Sequence, residues 1–256
     1  MQQPYGQQHN SGPQQATFAP GMRPGAAVHA APESRAKFIE RTYMHLAGAI
    51  FAFVGLEALI FNTAIGQQFA VKMLEVIAIS PYAWLGFLGA FMIAGTLANM
   101  WAHSSRSQGM QYLGLGLYVL AEVVIFCPLL LIANWQAEQH GGSVILPAGV
   151  TTLAVFAGIT AYVFISKANF SWLRGGLVAA SIASIAVIVL ATIFGFHLGL
   201  LFMGIMVLLA AGYVLYTTSN ILHEYGTHQH VAAALALFAA IALMFWYILQ
   251  IFMSRN

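Results

Sequence analysis

Seven long apolar runs constrain the fold of this chain more than any other feature of its sequence. Each run has about 20 residues or more, the length that an α-helix needs to cross the hydrocarbon core of a bilayer. Backbone polar groups in lipid have no water to bond, so a helix is the form that such runs are expected to take. The predicted spans cover residues 42–62, 82–102, 111–133, 145–166, 172–194, 197–219 and 231–253.

The composition supports a membrane-embedded chain. Of its 256 residues, 60% are hydrophobic and only 6% are charged, whereas a soluble domain carries about 25% charged residues. Most of the surface is therefore expected to contact lipid. We predict an all-α fold, a polytopic membrane protein built as a bundle of seven transmembrane helices. The net charge of +2 is too small and too scattered to favour nucleic-acid binding.

The N-terminal segment differs from the rest of the chain. Residues 1–33 are rich in Gln, Pro, Gly and His and contain no apolar signal-peptide core. They are expected to form a disordered cytoplasmic tail, either simply solvated or binding a partner, while residues 34–256 form the membrane domain. The short loops and the single cysteine fit a bacterial inner membrane.

The positive charges predict the orientation of the bundle. With the N-terminus in the cytoplasm, most Lys and Arg residues fall on the cytoplasmic side, as the positive-inside rule requires. These residues are Arg23, Arg35, Lys37, Arg41, Arg106, Lys167 and Arg174, against Lys72 and Arg255 on the other side.

Two acidic residues lie inside predicted spans of a chain that contains no aspartate. Glu122 is near the middle of the third span, and Glu57 is in the outer half of the first. An acid at this depth costs about 2.5–3.5 kcal/mol on insertion scales and usually faces the bundle interior or a wet cavity. We interpret both as candidates for a proton-sensing or cation-coordinating role. The alternative is a protonated glutamate that is hydrogen-bonded to a neighbouring helix.

A run of four small polar residues closes the sixth span. Thr217, Thr218, Ser219 and Asn220 follow one another at its inner end. Their hydroxyl and amide oxygens suit the lining of a hydrated path for a hard cation such as calcium. Helix capping and interfacial solvation are the alternative roles.

Signatures of metal binding and catalysis are weak. His223-Glu224 resembles the start of a zinc-protease motif, in which a second histidine follows the first by four residues. Here the second histidine, His228, follows His223 by five residues, and Gly226 interrupts the helix. The glycines of segment 114–116 lack the third glycine of a dinucleotide site. Because no nucleophile constellation is visible either, we predict a non-enzyme with no catalytic residue, no metal site and no cofactor.

Several segments resemble the Bax inhibitor-1 family. Residues 152–158, followed by Ala161-Tyr162, Lys167 and residues 170–176, closely resemble the signature of its fourth and fifth helices. Weaker similarity to the family occurs at residues 38–43, 215–222 and 232–238. The resemblance extends over about residues 34–253.

This resemblance implies a seven-helix bundle whose last helix lies near the centre. It also implies one of two functions: a pH-modulated passive calcium or cation leak, or a non-conducting regulator of another membrane protein such as a membrane-bound ATP-dependent protease. Leak-type members carry an aspartate pair on helices six and seven, at positions that correspond to Thr217 and Ala240 here. A paired-carboxylate sensor is therefore not expected at these positions. The candidates for an ion pathway are Glu122, Glu57 and the run 217–220.

Overall fold

The computed structural model describes residues 27–104 and 107–255, and the regular elements in these ranges are helices. A short 3₁₀ helix, Ala27–His29, precedes eight α-helices. They are α1 (Pro32–Asn62), α2 (Ala64–Ala78), α3 (Pro81–Ala102), α4 (Gln108–His140), α5 (Ile145–Ser166), α6 (Leu173–Phe194), α7 (Leu200–His223) and α8 (His230–Met253).

The seven predicted spans are confirmed. Seven helices, α1 and α3 to α8, are long and apolar enough to cross a membrane. Their ends differ from the prediction mainly at α1, which begins at Pro32, and at α4, which continues to His140. Both extensions are polar but helical, so hydropathy alone does not detect them. Of the predicted tail 1–33, residues 1–26 lie outside the described residues.

Helix α2 is the element that the sequence reading missed. It has 15 residues, about 22 Å at 1.5 Å per residue, which is too short to cross a bilayer. Thr63 ends α1 and starts α2, because its hydroxyl accepts a hydrogen bond from the Gly66 amide at 3.2 Å. Ala70 is fully buried and packs with Cys127 and Leu131 of α4. Helix α2 therefore folds back against α1 and α4 as a short covering helix.

Helix α8 lies at the centre of the bundle. In its most apolar 18-residue window 72% of the residues are buried, compared with 11% in α6. It packs against α1, α3, α4, α5 and α7, whereas α6 contacts only α7 and α3 among the closely packed helix pairs. Residues 231–234 at its start are fully buried. The central position that the resemblance implied is confirmed.

One end of the bundle, which we call the N-terminal side, collects the start of α1 and the loop between α7 and α8. The Ala27 amide donates to the Tyr225 carbonyl at 2.7 Å, and the Arg35 guanidinium donates to the Leu222 carbonyl at 3.5 Å. Of the described basic residues that were expected to share one membrane side, Arg35, Lys37 and Arg41 lie in the first third of α1, and Lys167 and Arg174 lie at the two ends of the α5–α6 loop.

Helices α3 and α4 pack with almost no space between their backbones at Gly114. A Cβ atom at that position would lie 2.5 Å from the Ala98 carbonyl oxygen and 2.6 Å from the Ala102 amide nitrogen. Ala98 and Ala102 are themselves buried. Small residues allow such close approach in lipid, where apolar burial between helices supplies little driving force.

We expect Gly114→Ala to destabilise the protein by ~1–3 kcal/mol, because the added methyl group must push two backbones apart. Gly116→Ala is the matched control, since a Cβ atom there meets nothing within 4 Å. Thermal unfolding of both variants in one detergent measures the difference. Equal unfolding temperatures would show that the α3–α4 contact tolerates a methyl group.

Candidate functional site

A cavity of about 680 Å³ lies beside the central helix and is bounded by α3, α4, α6, α7 and α8. One face of α8 borders it from Leu235 to Gln250. These 15 steps of 1.5 Å span about 22 Å along the helix axis, a large part of a hydrocarbon core about 30 Å thick. We call this space the central cavity.

Glu122 lines the central cavity from α4. Its side chain is 4% exposed, and the side chain of Tyr118, one helical turn earlier, forms a hydrogen bond with its carboxyl group. Thr217 of α7 lines the same cavity. Among the described residues of the cavity wall, Glu122 is the only charged side chain. An ionised Glu122 therefore makes the cavity attractive to cations.

Aromatic rings form much of the remaining wall, and ten of the 26 lining residues are aromatic. On α4, Tyr118 and Phe126 lie one turn on either side of Glu122. The Tyr118 ring is 6.1 Å from Phe91 of α3, and the Phe126 ring is 5.0 Å from Trp246 of α8 in an edge-to-face arrangement. Rings thus flank the carboxyl group in both directions along the cavity.

A second, polar pocket of about 200 Å³ lies at the N-terminal side. Its polar lining residues are His103, Arg174, Asn220, Glu224 and Gln229, and Tyr216 and Tyr225 line both this pocket and the central cavity. The Asn220 side chain is 6% exposed, and its Oδ1 atom has no hydrogen-bond partner in the described part of the chain. We call this pocket the polar vestibule, since its two tyrosines adjoin the central cavity.

Tyr225 is held in the loop between α7 and α8. Its amide donates to the Asn220 carbonyl at 2.9 Å. Burial, with smaller contributions from Tyr216 and Glu224, raises the pKa of Tyr225 to about 12. Its hydroxyl group is therefore neutral at physiological pH and can donate a hydrogen bond at the junction of the two spaces.

The polar run 217–220 is divided among four environments, because successive residues of a helix point about 100° apart. Thr217 lines the central cavity, and Asn220 lines the polar vestibule. Thr218 is fully buried beside Tyr43 of α1. Ser219 faces the loop between α5 and α6, where its hydroxyl accepts from the Phe170 amide at 2.9 Å and donates to the Ala168 carbonyl at 3.2 Å.

Glu57 lies apart from the central cavity. It is 6% exposed at the junction of α1, α2 and α4, where it interacts electrostatically with Cys127. Neither carboxyl oxygen has a hydrogen-bond partner in the ranges that the structure describes. The residue is absent from the cavity wall. The structure thus separates the two acids that the sequence analysis grouped.

The histidine-rich loop forms no cluster suited to a metal ion. In the described ranges, no three His, Cys, Asp or Glu side chains lie close enough to hold one. His223 Nδ1 instead bonds the Ser219 carbonyl at 2.9 Å. The ring of His230 packs 5.0 Å from His45 of α1, a pair that the sequence analysis did not join.

Sequence reasoning missed several residues of the two spaces. Tyr118 could have been found, since it precedes Glu122 by four residues and so lies on the same helical face. Tyr216, Tyr225 and Arg174 carry no such signal, because they come together only through the packing of α6 and α7 and the loop before α8. Thr217 and Ala240, the two positions at which the resemblance implied aspartates in leak-type members, both line the central cavity.

Comparison with known proteins assigns most of the chain to one family. The profile of the family described as inhibitor of apoptosis-promoting Bax1 matches residues 35–256. An uncharacterized protein of Pseudomonas aeruginosa is 28% identical over 170 residues, 66% of this chain and 71% of that protein.

Two eukaryotic relatives match over shorter stretches. Bax inhibitor 1 of Schizosaccharomyces pombe is 37% identical over 113 residues, 42% of this chain and 41% of its own length. Protein lifeguard 4 of Mus musculus is 29% identical over 113 residues, 44% of this chain and 48% of its own. The matches to these two named relatives therefore span less than half of their length.

We expect Ser219→Ala to lower the free energy of unfolding by about 1–3 kcal/mol, because the Phe170 amide and the Ala168 carbonyl lose their shared partner. Ser184→Ala is a suitable control, since the Ser184 hydroxyl donates to the Ala180 carbonyl of its own helix. A smaller loss is expected there, because such a bond within one helix adds little to its stability. Thermal unfolding in detergent compares them. A loss no greater than in the control would contradict this clamp between α7 and the α5–α6 loop.

Proposed function

The chain belongs to the Bax inhibitor-1 family of multi-pass membrane proteins, and on that premise we propose that it forms a passive cation pathway through the central cavity. The observation that carries this proposal is that Glu122 and Thr217 line one cavity that follows α8 for about 22 Å. The family is not known as an enzyme family, and the proposed role needs no catalytic group.

The charge distribution favours cations over anions in the central cavity. Glu122 is the one charged side chain among the described residues of the cavity wall. A carboxylate in a site with little water attracts a cation far more strongly than it would in bulk solvent. Protonation of Glu122 removes this attraction, so flux through the cavity is expected to fall at acid pH.

The polar vestibule supplies one mouth of the pathway. Asn220 offers a buried, unpartnered carbonyl oxygen there, and Glu224 adds a carboxyl group. Tyr216 and Tyr225 stand between this vestibule and the cavity. With the basic helix ends in the cytoplasm, the vestibule opens to the cytoplasmic side of a bacterial inner membrane.

Calcium is the cation that the family resemblance suggests. Calcium takes 6–8 oxygen ligands in a stable protein site, and Glu122 and Thr217 supply only a few of them. A calcium ion in the cavity would therefore keep much of its water. Such weak binding suits slow leakage better than storage, since conduction requires that the ion can leave.

A non-conducting regulator of another membrane protein is the second candidate function. Thr217 and Ala240 place a hydroxyl and a methyl group where leak-type relatives carry carboxylates, which leaves the cavity wall mostly apolar. Capture of native complexes by the full chain, and by a chain lacking residues 1–26, tests this role. A partner such as a membrane-bound protease, retained by the full chain in the absence of any measurable flux, would favour it.

We expect Glu122→Gln to reduce cation flux into liposomes about tenfold, which corresponds to ~1.4 kcal/mol in the barrier. Calcium and potassium fluxes should be measured separately, at mildly alkaline and at acid pH. Acidification should lower the flux of the unmodified protein but leave the residual flux of the variant unchanged, because the titrating carboxyl group is gone.

Glu57→Gln is the matched control for this measurement. It removes the other buried acid, which lies outside the cavity wall, so flux and its pH dependence should both be retained. The cation pathway is refuted if the protein conducts no better than protein-free vesicles. Equal loss of flux in the two variants would instead place the pathway elsewhere in the bundle.

A further inference from the structure

The central cavity combines a single buried carboxyl group with an unusually aromatic wall. No Lys, Arg or His side chain lines it in the described part of the chain, so nothing there neutralises Glu122 once it is ionised. Tyr118 provides one hydrogen bond. A cation held in the cavity would supply the missing positive charge.

The rings around Glu122 are arranged to accept a cation that carries hydrophobic substituents. One helical turn before Glu122 on α4, the Tyr118 ring has its centre 6.1 Å from that of the Phe91 ring. On the other side, Phe126 contacts Trp246, and Trp246 stacks on Trp84 at 5.9 Å. The faces of aromatic rings attract cations, and tryptophan does so most strongly. An ammonium group with bulky apolar substituents can therefore be stabilised without a shell of oxygen ligands.

The size of the cavity also fits such a molecule. Its volume of about 680 Å³ lies within the range of roughly 300–1,000 Å³ that is usual for small-molecule sites. These sites are mostly apolar with a few polar groups that fix orientation, as Glu122 and Thr217 would here. A bare inorganic cation, in contrast, would find few oxygen atoms among the aromatic and aliphatic side chains.

We propose that the central cavity is a binding site for a hydrophobic organic cation, with Glu122 as its counter-charge and the rings of Trp84, Trp246 and Tyr118 around its apolar groups. This inference rests on the proposed cation pathway and names a class of ligand that would occupy the same cavity. A bound organic cation would obstruct the passage of hydrated inorganic ions, so it would act as a blocker of the leak.

Benzyltrimethylammonium is a suitable probe, and neopentylbenzene is its neutral isostere, with carbon in place of nitrogen. Binding of both to the full-length protein in nanodiscs should be measured at mildly alkaline pH by equilibrium dialysis. We expect saturable binding of the cation, and at least about tenfold weaker binding to Glu122→Gln, since a desolvated charge pair is lost. The neutral isostere should bind both proteins equally and more weakly than the cation binds the unmodified protein.

Three further variants distinguish this site from a general apolar space. Glu57→Gln should bind the cation like the unmodified protein, and Glu122→Asp should retain binding because it keeps the charge. Trp246→Leu should weaken cation binding several-fold while it changes binding of the neutral isostere little. Size-exclusion profiles and unfolding temperatures show whether each variant is folded.

The outcome is independent of the flux assay. Saturable, Glu122-dependent binding supports the site even if the liposomes show no cation flux, whereas flux without such binding supports the pathway and overturns the site. Equal affinity for the cation and its neutral isostere, or equal affinity of the unmodified protein and Glu122→Gln, also overturns it.

Discussion

The enclosure of α8 by the other helices is the constraint on which the rest of the structure depends. Lipid provides little apolar driving force between helices, so close contact must come from small side chains and good packing. At the start of α8, Ala232, Ala233 and Ala234 are fully buried and allow α1, α5 and α7 to approach. Further along, Ala236 and Ala239 border the central cavity instead.

Alanines of α8 thus allow close helix packing at its start and leave space for the central cavity further along. The difference lies in the facing helices, because α3 and α4 meet α8 there with large rings. Phe126 and Trp84 both contact Trp246, and Tyr118 contacts Phe238 at 6.1 Å. Rings of this size hold the helix axes apart, and the alanines of α8 are too small to fill the gap. The cavity therefore follows from the packing of α8, and Glu122 lies in its wall because α4 contributes that face.

Much of the fold could be predicted from the sequence, because an apolar run of this length has one stable form in a bilayer. Helix α2 could not, since a 15-residue run interrupted by Lys72 and Glu75 is ambiguous between a loop and a helix. Glu122 was identified from its depth alone. The aromatic wall was not, because rings at helical spacing look the same in a packed core and around a cavity. The separate surroundings of residues 217–220 could not be predicted either, since they depend on which neighbouring helix or loop each side chain contacts.

The number of acids in the cavity decides how it can respond to protons. Two carboxyl groups that share a proton titrate as a coupled pair, with two macroscopic steps that belong to neither group alone. With Thr217 and Ala240 in the wall, the described residues offer Glu122 as the one acid there, and Glu57 lies at another helix junction. A single carboxyl group gives one protonation step and one change of charge. Under the proposed function, the central cavity would give a simpler response than a paired sensor, since a proton and a cation would compete for the single carboxyl group of Glu122.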